Sequence, residues 1–229
     1  MSVAGRQVGS TVNATSGGSE RLFHGRGSTV SPPLELPGRE ASLWAPRLAQ
    51  ATSEDMARGL FFQGALRAIR VLGDEELAAR CAAACGQAWF FDFFNYSIRL
   101  FLEMVSTALP PLMERHGEAE CTLWLMGHCV ATDFLESEAG RAMQVLVRGE
   151  ARRLVNHLPS TYLVSLNGTR SVEWLGPQHC RFTMKRDFAP AAFHEGMLVA
   201  MLERMDARRV HVVGVQTGVL NSEYDISWR

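Results

Sequence analysis

The chain has 229 residues, of which 47% are hydrophobic and 21% charged, enough apolar material for one substantial core. The formal net charge is −1 with acids and bases interleaved, so there is no basic stripe of the kind that grips a phosphate backbone, and nucleic acid is not an expected partner. No apolar run approaches the roughly 18 residues that suggest a membrane span, so an integral membrane protein is not expected either.

Residues 1–50 are rich in Gly, Ser, Thr and Pro and hold no sustained hydrophobic period, which predicts a disordered arm ahead of a single domain over 51–229. Leu22, Phe23, Leu34, Leu36, Leu43 and Trp44 are scattered apolar exceptions that could tether part of the arm. Order is expected to begin at Thr52-Ser53, with Glu54 and Asp55 in a first helical turn. Phe61, Ala65, Ala68, Ile69 and Leu72 then recur at helical spacing up to Gly73. A second helix follows Asp74, with Leu77, Cys81 and Cys85 in one row. The third is predicted from the stripe Phe90, Phe93, Phe94, Ser97, Phe101, Met104, Val105 and Ala108, and Pro110-Pro111 is expected to end it.

Residues 118–136 carry Cys121, Leu125, His128, Cys129, Thr132 and Leu135 at helical spacing, and Ser137-Glu138 can open a further short helix. Beyond Pro159 the period changes from 3.6 to 2. Tyr162, Val164 and Leu166 alternate, Asn167-Gly168 marks a tight turn, Val172 and Trp174 resume, and Cys180, Phe182 and Met184 follow Gly176-Pro177. Pro190 suits a helix start, with Phe193, Met197, Ala200, Met201 and Met205 as a buried stripe. Residues 210–215 and the run Tyr224, Ile226, Trp228 close the chain as strands. The expected class is α+β, with helices packed on a small antiparallel sheet, a helical N-terminal half and a strand-rich C-terminal half.

Familiar reaction motifs fail. His194-Glu195 begins a zincin string, but Leu198 stands where the second histidine belongs. His116-Gly117-Glu118 opens a zinc-deaminase pattern that no Pro-Cys-x-x-Cys completes. Nucleophile elbow, Walker loop and dinucleotide fingerprint are missing, so no catalytic residue and no metal ligand is assigned, and a non-enzymatic role is the leading expectation. Cys81 and Cys85 read as small core residues. The five cysteines and the polar first 18 residues, which lack a signal-peptide core, point to a reducing compartment and the cytoplasm.

The unusual feature is aromatic density: Trp89, Phe90, Phe91, Phe93, Phe94 and Tyr96, joined by Trp124. A helix this apolar around its girth has to be hidden in the core, at a subunit interface or around a ligand. Asp92 and Arg99 interrupt the run and need water or a polar partner. Trp89, Phe93, Tyr96, Arg99, Trp124 and His128 are therefore the candidate ligand-binding residues, His128 being also a conceivable haem or metal ligand.

The strings Phe91-Asp92-Phe93-Phe94-Asn95-Tyr96, Leu158-Pro159-Ser160-Thr161-Tyr162, Glu173-Trp174 with Gly176-Pro177, and Glu223-Tyr224-Asp225-Ile226-Ser227-Trp228 resemble a paralogous myxobacterial family of uncharacterised proteins. More distantly, the arrangement is similar to the superfold of vinyl-4-reductase-type, Bet3-like and haem nitric-oxide-binding domains. That resemblance implies helices on a small sheet, frequent dimers and a hydrophobic cavity. Haem-binding members carry a spaced Tyr, Ser and Arg motif, whereas Tyr96-Ser97-Ile98-Arg99 has the residues without the spacing, so no cofactor is expected and haem is set aside. The expected function is a non-enzymatic sensor or regulatory module for a small apolar or lipid-like ligand, as a homodimer. The alternatives are a protein-interaction scaffold of the Bet3-like kind, linked to small GTPases, and an unrecognised enzyme.

Overall fold

The computed structural model describes residues 38–87, 89–165, 167–205 and 207–229, leaving aside the side chains of 38–41 and 163–165. Residues 1–37, with Leu22, Phe23, Leu34 and Leu36, lie outside the described residues, and so does Leu166. The arm predicted to end at 50 overlaps helix α1 (Gly38–Gln50). Trp44 on α1 is wholly buried, and Arg47, one turn on, donates through Nη2 to Gln216 Oε1 at 2.9 Å. The tether foreseen in Trp44 is therefore part of a helix that docks on the body.

Strand β1 (Met56–Arg58) leads into α2 (Gly59–Leu72), which buries Phe61, Phe62, Ala65, Ala68 and Ile69 on one face, as their spacing predicts. The turn at 52–55 is not the start of a helix. Asp55 folds back onto Thr52, accepting from its backbone N–H and its hydroxyl at 2.8 Å each. Gly73 ends α2, its N–H reaching Ile69 O at 2.8 Å. Helix α3 (Glu75–Ala84) is capped by Asp74, whose carboxylate accepts from Leu77 N at 2.8 Å, and Glu75 and Glu76 occupy the first turn where the dipole favours them.

The predicted aromatic helix does not form. Residues 89–94 are a loop that enters strand β2 (Asn95–Ser97), the antiparallel partner of β1, and helix α4 (Ile98–His116) starts only there. Phe90 stays inside, stacked on Phe62 at 4.5 Å, but Trp89, Phe91, Phe93 and Phe94 are 62%, 56%, 82% and 62% exposed. The cause is backbone chemistry. Phe94 O and Asp92 O accept from Gly59 N and Leu60 N at 2.9 and 3.1 Å, satisfying the first N–H groups of α2, which no helix of its own leaves paired. Gly59 permits this approach, since a Cβ there would lie 2.0 Å from Phe91 O.

Helix α4 runs through Pro110-Pro111 instead of stopping. Leu109 and Leu112 on either side are fully buried, and their burial offsets the roughly 3 kcal/mol a helix-interior proline costs. Helices α5 (Ala119–Glu136) and α6 (Glu138–Val147) follow, the latter capped by Ser137 Oγ on Gly140 N at 3.1 Å. Helix α7 (Ala151–Ser165) also passes through its proline, Pro159, so the strand expected over 162–166 is helical as far as 165. Leu154, Val155, Leu158 and Tyr162 are all buried at helical spacing, and that longer period prevails over three alternating residues.

Strands β3 (Thr169–Gly176) and β4 (His179–Lys185) form the expected hairpin. Helix α8 (Ala191–Glu203) begins after Pro190, and β5 (His211–Gly218) and β6 (Asn221–Ser227) complete an antiparallel sheet of order β3-β4-β6-β5. Cys180, Phe182, Met184, Tyr224 and Ile226 face the core, while Glu173, Arg181 and Asp225 form a charged row outside. The described residues thus comprise eight helices and two small antiparallel sheets, an α+β architecture with the helices first and most strands last. No described helix is long and apolar enough to cross a membrane. Helix α8 lies between the large sheet and α5 at very close range: a Cβ on Gly127 would lie 1.8 Å from Phe193 O, and one on Gly196 2.0 Å from Trp124 O.

Candidate functional site

Helices α2, α5, α7 and α8 leave a cavity of about 60 Å3 between them. Its inner wall is apolar, with Phe61, Gly64, Val130, Phe134, Met197 and Met201. At its edge Arg67 Nε pairs with Asp133 Oδ2 at 2.7 Å, both side chains about a third exposed. Tyr162 on α7 completes the lining.

The Tyr162 hydroxyl lies 3.3 Å from His194 Nδ1, and His194 Nε2 lies 2.7 Å from Asp187 Oδ1. Asp187 also accepts from Ala189 N at 3.0 Å, just ahead of α8, and Arg170 on the inner face of β3 binds its second oxygen. All four side chains are buried. Burial pushes the Asp187 carboxyl upward, but the adjacent His194, Arg170 and the Ala189 N–H outweigh it and hold the group well below the ordinary carboxylate range. Burial and then the Asp187 charge push the Tyr162 hydroxyl well above its usual value, so it keeps its proton. An ionised Asp187 accepts, so Nε2 donates to it, and Nδ1 of the same ring faces the Tyr162 hydroxyl. The result is a continuous polar chain from the cavity wall on α7, through α8, to the sheet at β3.

This chain escapes a reading of the sequence because its members lie at 162, 170, 187 and 194, on separate elements. Two signals existed: Arg170 takes an inward position in the β3 alternation, and His194 follows Phe193 in an apolar helix, where a buried imidazole requires a partner.

The candidate ligand residues from the sequence fall elsewhere. Trp89 and Phe93 project from the loop at 89–94; Tyr96 is half-buried against Phe62 and Phe90, its hydroxyl accepting from Phe91 N at 2.9 Å. Arg99, at the start of α4, donates to Ala51 O at 2.8 Å. Trp124 and His128 stack on each other on α5 with ring centroids 5.1 Å apart, and His128 sits 3.8 Å from Glu203. None of the six lines the cavity. Cys81 on α3 and Cys85 just after it are buried, burial pushing their thiols up to about 11 and about 12, consistent with packing residues.

Solved structures share this fold. The chain resembles an unliganded Fe(II) H-NOX protein from K. algicida (12% identity, TM-score 0.53, covering 75% of this chain and 96% of that one). It also resembles an Fe(II)NO H-NOX protein from S. oneidensis (9%, 0.58, 75% and 99%). A third, described by its haem redox potential and protein-induced porphyrin distortion, shows 10% identity and a TM-score of 0.55 over 75% and 99%. At these identities the likeness is one of fold, and it bears out the haem-nitric-oxide-binding part of the resemblance.

The expectation of no cofactor, with haem set aside, is thereby corrected, because the fold is that of haem-bearing proteins. The spacing within Tyr96-Ser97-Ile98-Arg99 is a weak guide where a fold persists at such low identity. The residues that would hold a porphyrin do not stand out here. The cavity is far below the roughly 300 Å3 at which ligand pockets begin, no histidine lines it, and both nitrogens of the buried His194 are engaged. In this arrangement the lining residues do not fit a porphyrin.

A comparison with curated proteins gives no match. The model of the family described as "Protein of unknown function (DUF2378)" matches residues 50–229, most of the chain, and the protein belongs to that family.

Proposed function

We propose that this chain is a non-enzymatic sensor module that admits a small apolar ligand between α2, α5, α7 and α8 and passes its presence to the sheet. The observation that carries this reading is the placement of Tyr162: one face on an apolar cavity, its hydroxyl on the buried chain to His194, Asp187 and Arg170. A ligand that displaces the Tyr162 ring strains the bond to His194, and Asp187 ties that strain to both β3 and the start of α8. The size suits a molecule of a few heavy atoms, and the Arg67–Asp133 pair at the edge offers its one polar group a partner. With Tyr162 protonated and Asp187 ionised and saturated, the cluster is suited to transmission and lacks a free nucleophile or base.

A haem-dependent sensor is the second reading, favoured by the H-NOX and haem-protein structures that share the fold. One experiment separates the two. The methyl signals of Met197 and Met201 are followed by NMR under xenon, a probe that enters dry apolar cavities, and a parallel sample is incubated with hemin and scanned for a Soret band. Methyl shifts under xenon that vanish in Val130→Phe support the cavity reading. A stoichiometric Soret band with silent methyls transfers the function to haem, and the absence of both responses overturns the sensor proposal.

A further inference from the structure

We infer that the loop at 89–94 and the groove beside it form the interface through which two copies of this chain pair. Three observations carry this. Trp89, Phe91, Phe93 and Phe94 are all more than half exposed, in a loop that is fastened by its backbone. Besides the carbonyls held by Gly59 and Leu60, Phe93 O accepts from Arg58 Nη1 at 2.6 Å, Phe90 O accepts from Gln63 Nε2, and Phe91 N donates to the Tyr96 hydroxyl. The rings are thus presented by an ordered backbone, and little conformational freedom remains to be lost on docking.

Alongside lies a groove of about 700 Å3 between α2 and α3, walled by Trp89 and floored by Phe90 and Ala82. The outer face of α3 next to it carries Ala79 and Ala83, both exposed, small residues where a solvated helix would place charges. A projecting aromatic knob and an apolar slot side by side on one face meet the condition for a two-fold contact, in which each copy's knob enters the other's slot. A fully buried aromatic side chain hides roughly 150–250 Å2, so at their exposures these four offer between about 400 and 650 Å2. That is about half or more of the roughly 800 Å2 per partner in a stable interface, and the groove's lining adds to it.

The polar surroundings select a second copy over a bilayer. Asp92 sits among the four rings, bonded to Gln63 Nε2 at 2.8 Å, and a carboxylate carried into lipid is costly. The groove's rim holds Arg70 paired with Glu75, opposite charges that a two-fold axis can set against their counterparts without repulsion.

The test is sedimentation equilibrium of the full chain over a dilution series, with Phe93→Ser in the knob and Ala83→Arg in the groove, circular dichroism verifying that both fold. A reversible dimer is expected at micromolar concentration, and each variant raises its dissociation constant by about tenfold or more. A wild-type chain that stays monomeric, or a dimer indifferent to both substitutions, overturns the inference. So does a monomer that floats with phosphatidylcholine vesicles, which would assign the loop to a lipid surface. The xenon and hemin responses are read separately, so either proposal can fail alone.

Discussion

The phenylalanine rings of the core and the rings of the loop at 89–94 come from equally apolar stretches of sequence, yet one set is sealed and the other faces water. Phe61, Phe62, Phe101 and Phe193 pack as a ring cluster with centroids 4.7 to 6.2 Å apart, each on a helix whose period repeats the apolar positions on one side. The loop has no such period, because six aromatic residues in eight positions put rings on every side of any helix they could form. Its carbonyls instead pair with the first N–H groups of α2, and Phe90 alone is drawn into the core. Aromatic density by itself therefore measures the need for a partner, whereas periodicity tells whether that partner is inside the chain.

The contrast breaks most visibly at the buried polar chain. Replacing Arg170 with Ala leaves the Asp187 carboxylate without its buried guanidinium partner and is expected to cost about 3–5 kcal/mol in urea unfolding. If Arg170→Ala unfolds within about 1 kcal/mol of wild type, the chain from Tyr162 to the sheet is not a structural unit. Gly196→Ala forces a methyl against Trp124 O and is expected to cost about 1–3 kcal/mol, with chemical-shift changes running along α5 and α8.

Acid sharpens the same contrast. Asp187 has a folded value held below its unfolded one of 3.8, so its stabilisation is complete above that value and is lost as pH falls through the folded value. Thermal unfolding should accordingly show an acid-side decline, beginning near pH 4, that Asp187→Asn makes shallower. An unchanged slope in that variant would exclude an ionised Asp187. The smallest effect belongs to the loop: Phe93→Ser in the monomer should change stability by no more than about 0.5 kcal/mol, because the ring it removes is 82% exposed. A larger loss would mean that Phe93 packs against its own chain.

Much of the architecture was readable from residues alone. Asp74 with Glu75 and Glu76, the Phe61 to Ile69 stripe, and the alternation Cys180, Phe182, Met184 each state a local preference that the fold keeps. The candidate site was not. Trp89, Phe93 and Trp124 drew attention by size, whereas the residues behind the cavity are single polar side chains in otherwise apolar elements, and nothing local announces that they meet.

The sequence by itself determined the α+β class, many helix and strand faces and the broad order of helices first and most strands last, because period and capping act over a few residues. Only the tertiary structure decided that α4 and α7 continue through their prolines, that loop carbonyls cap α2, and that Tyr162, His194, Asp187 and Arg170 converge. Each of these outcomes is set by burial and hydrogen bonding between segments far apart in the chain, where the gain from packing exceeds any local preference.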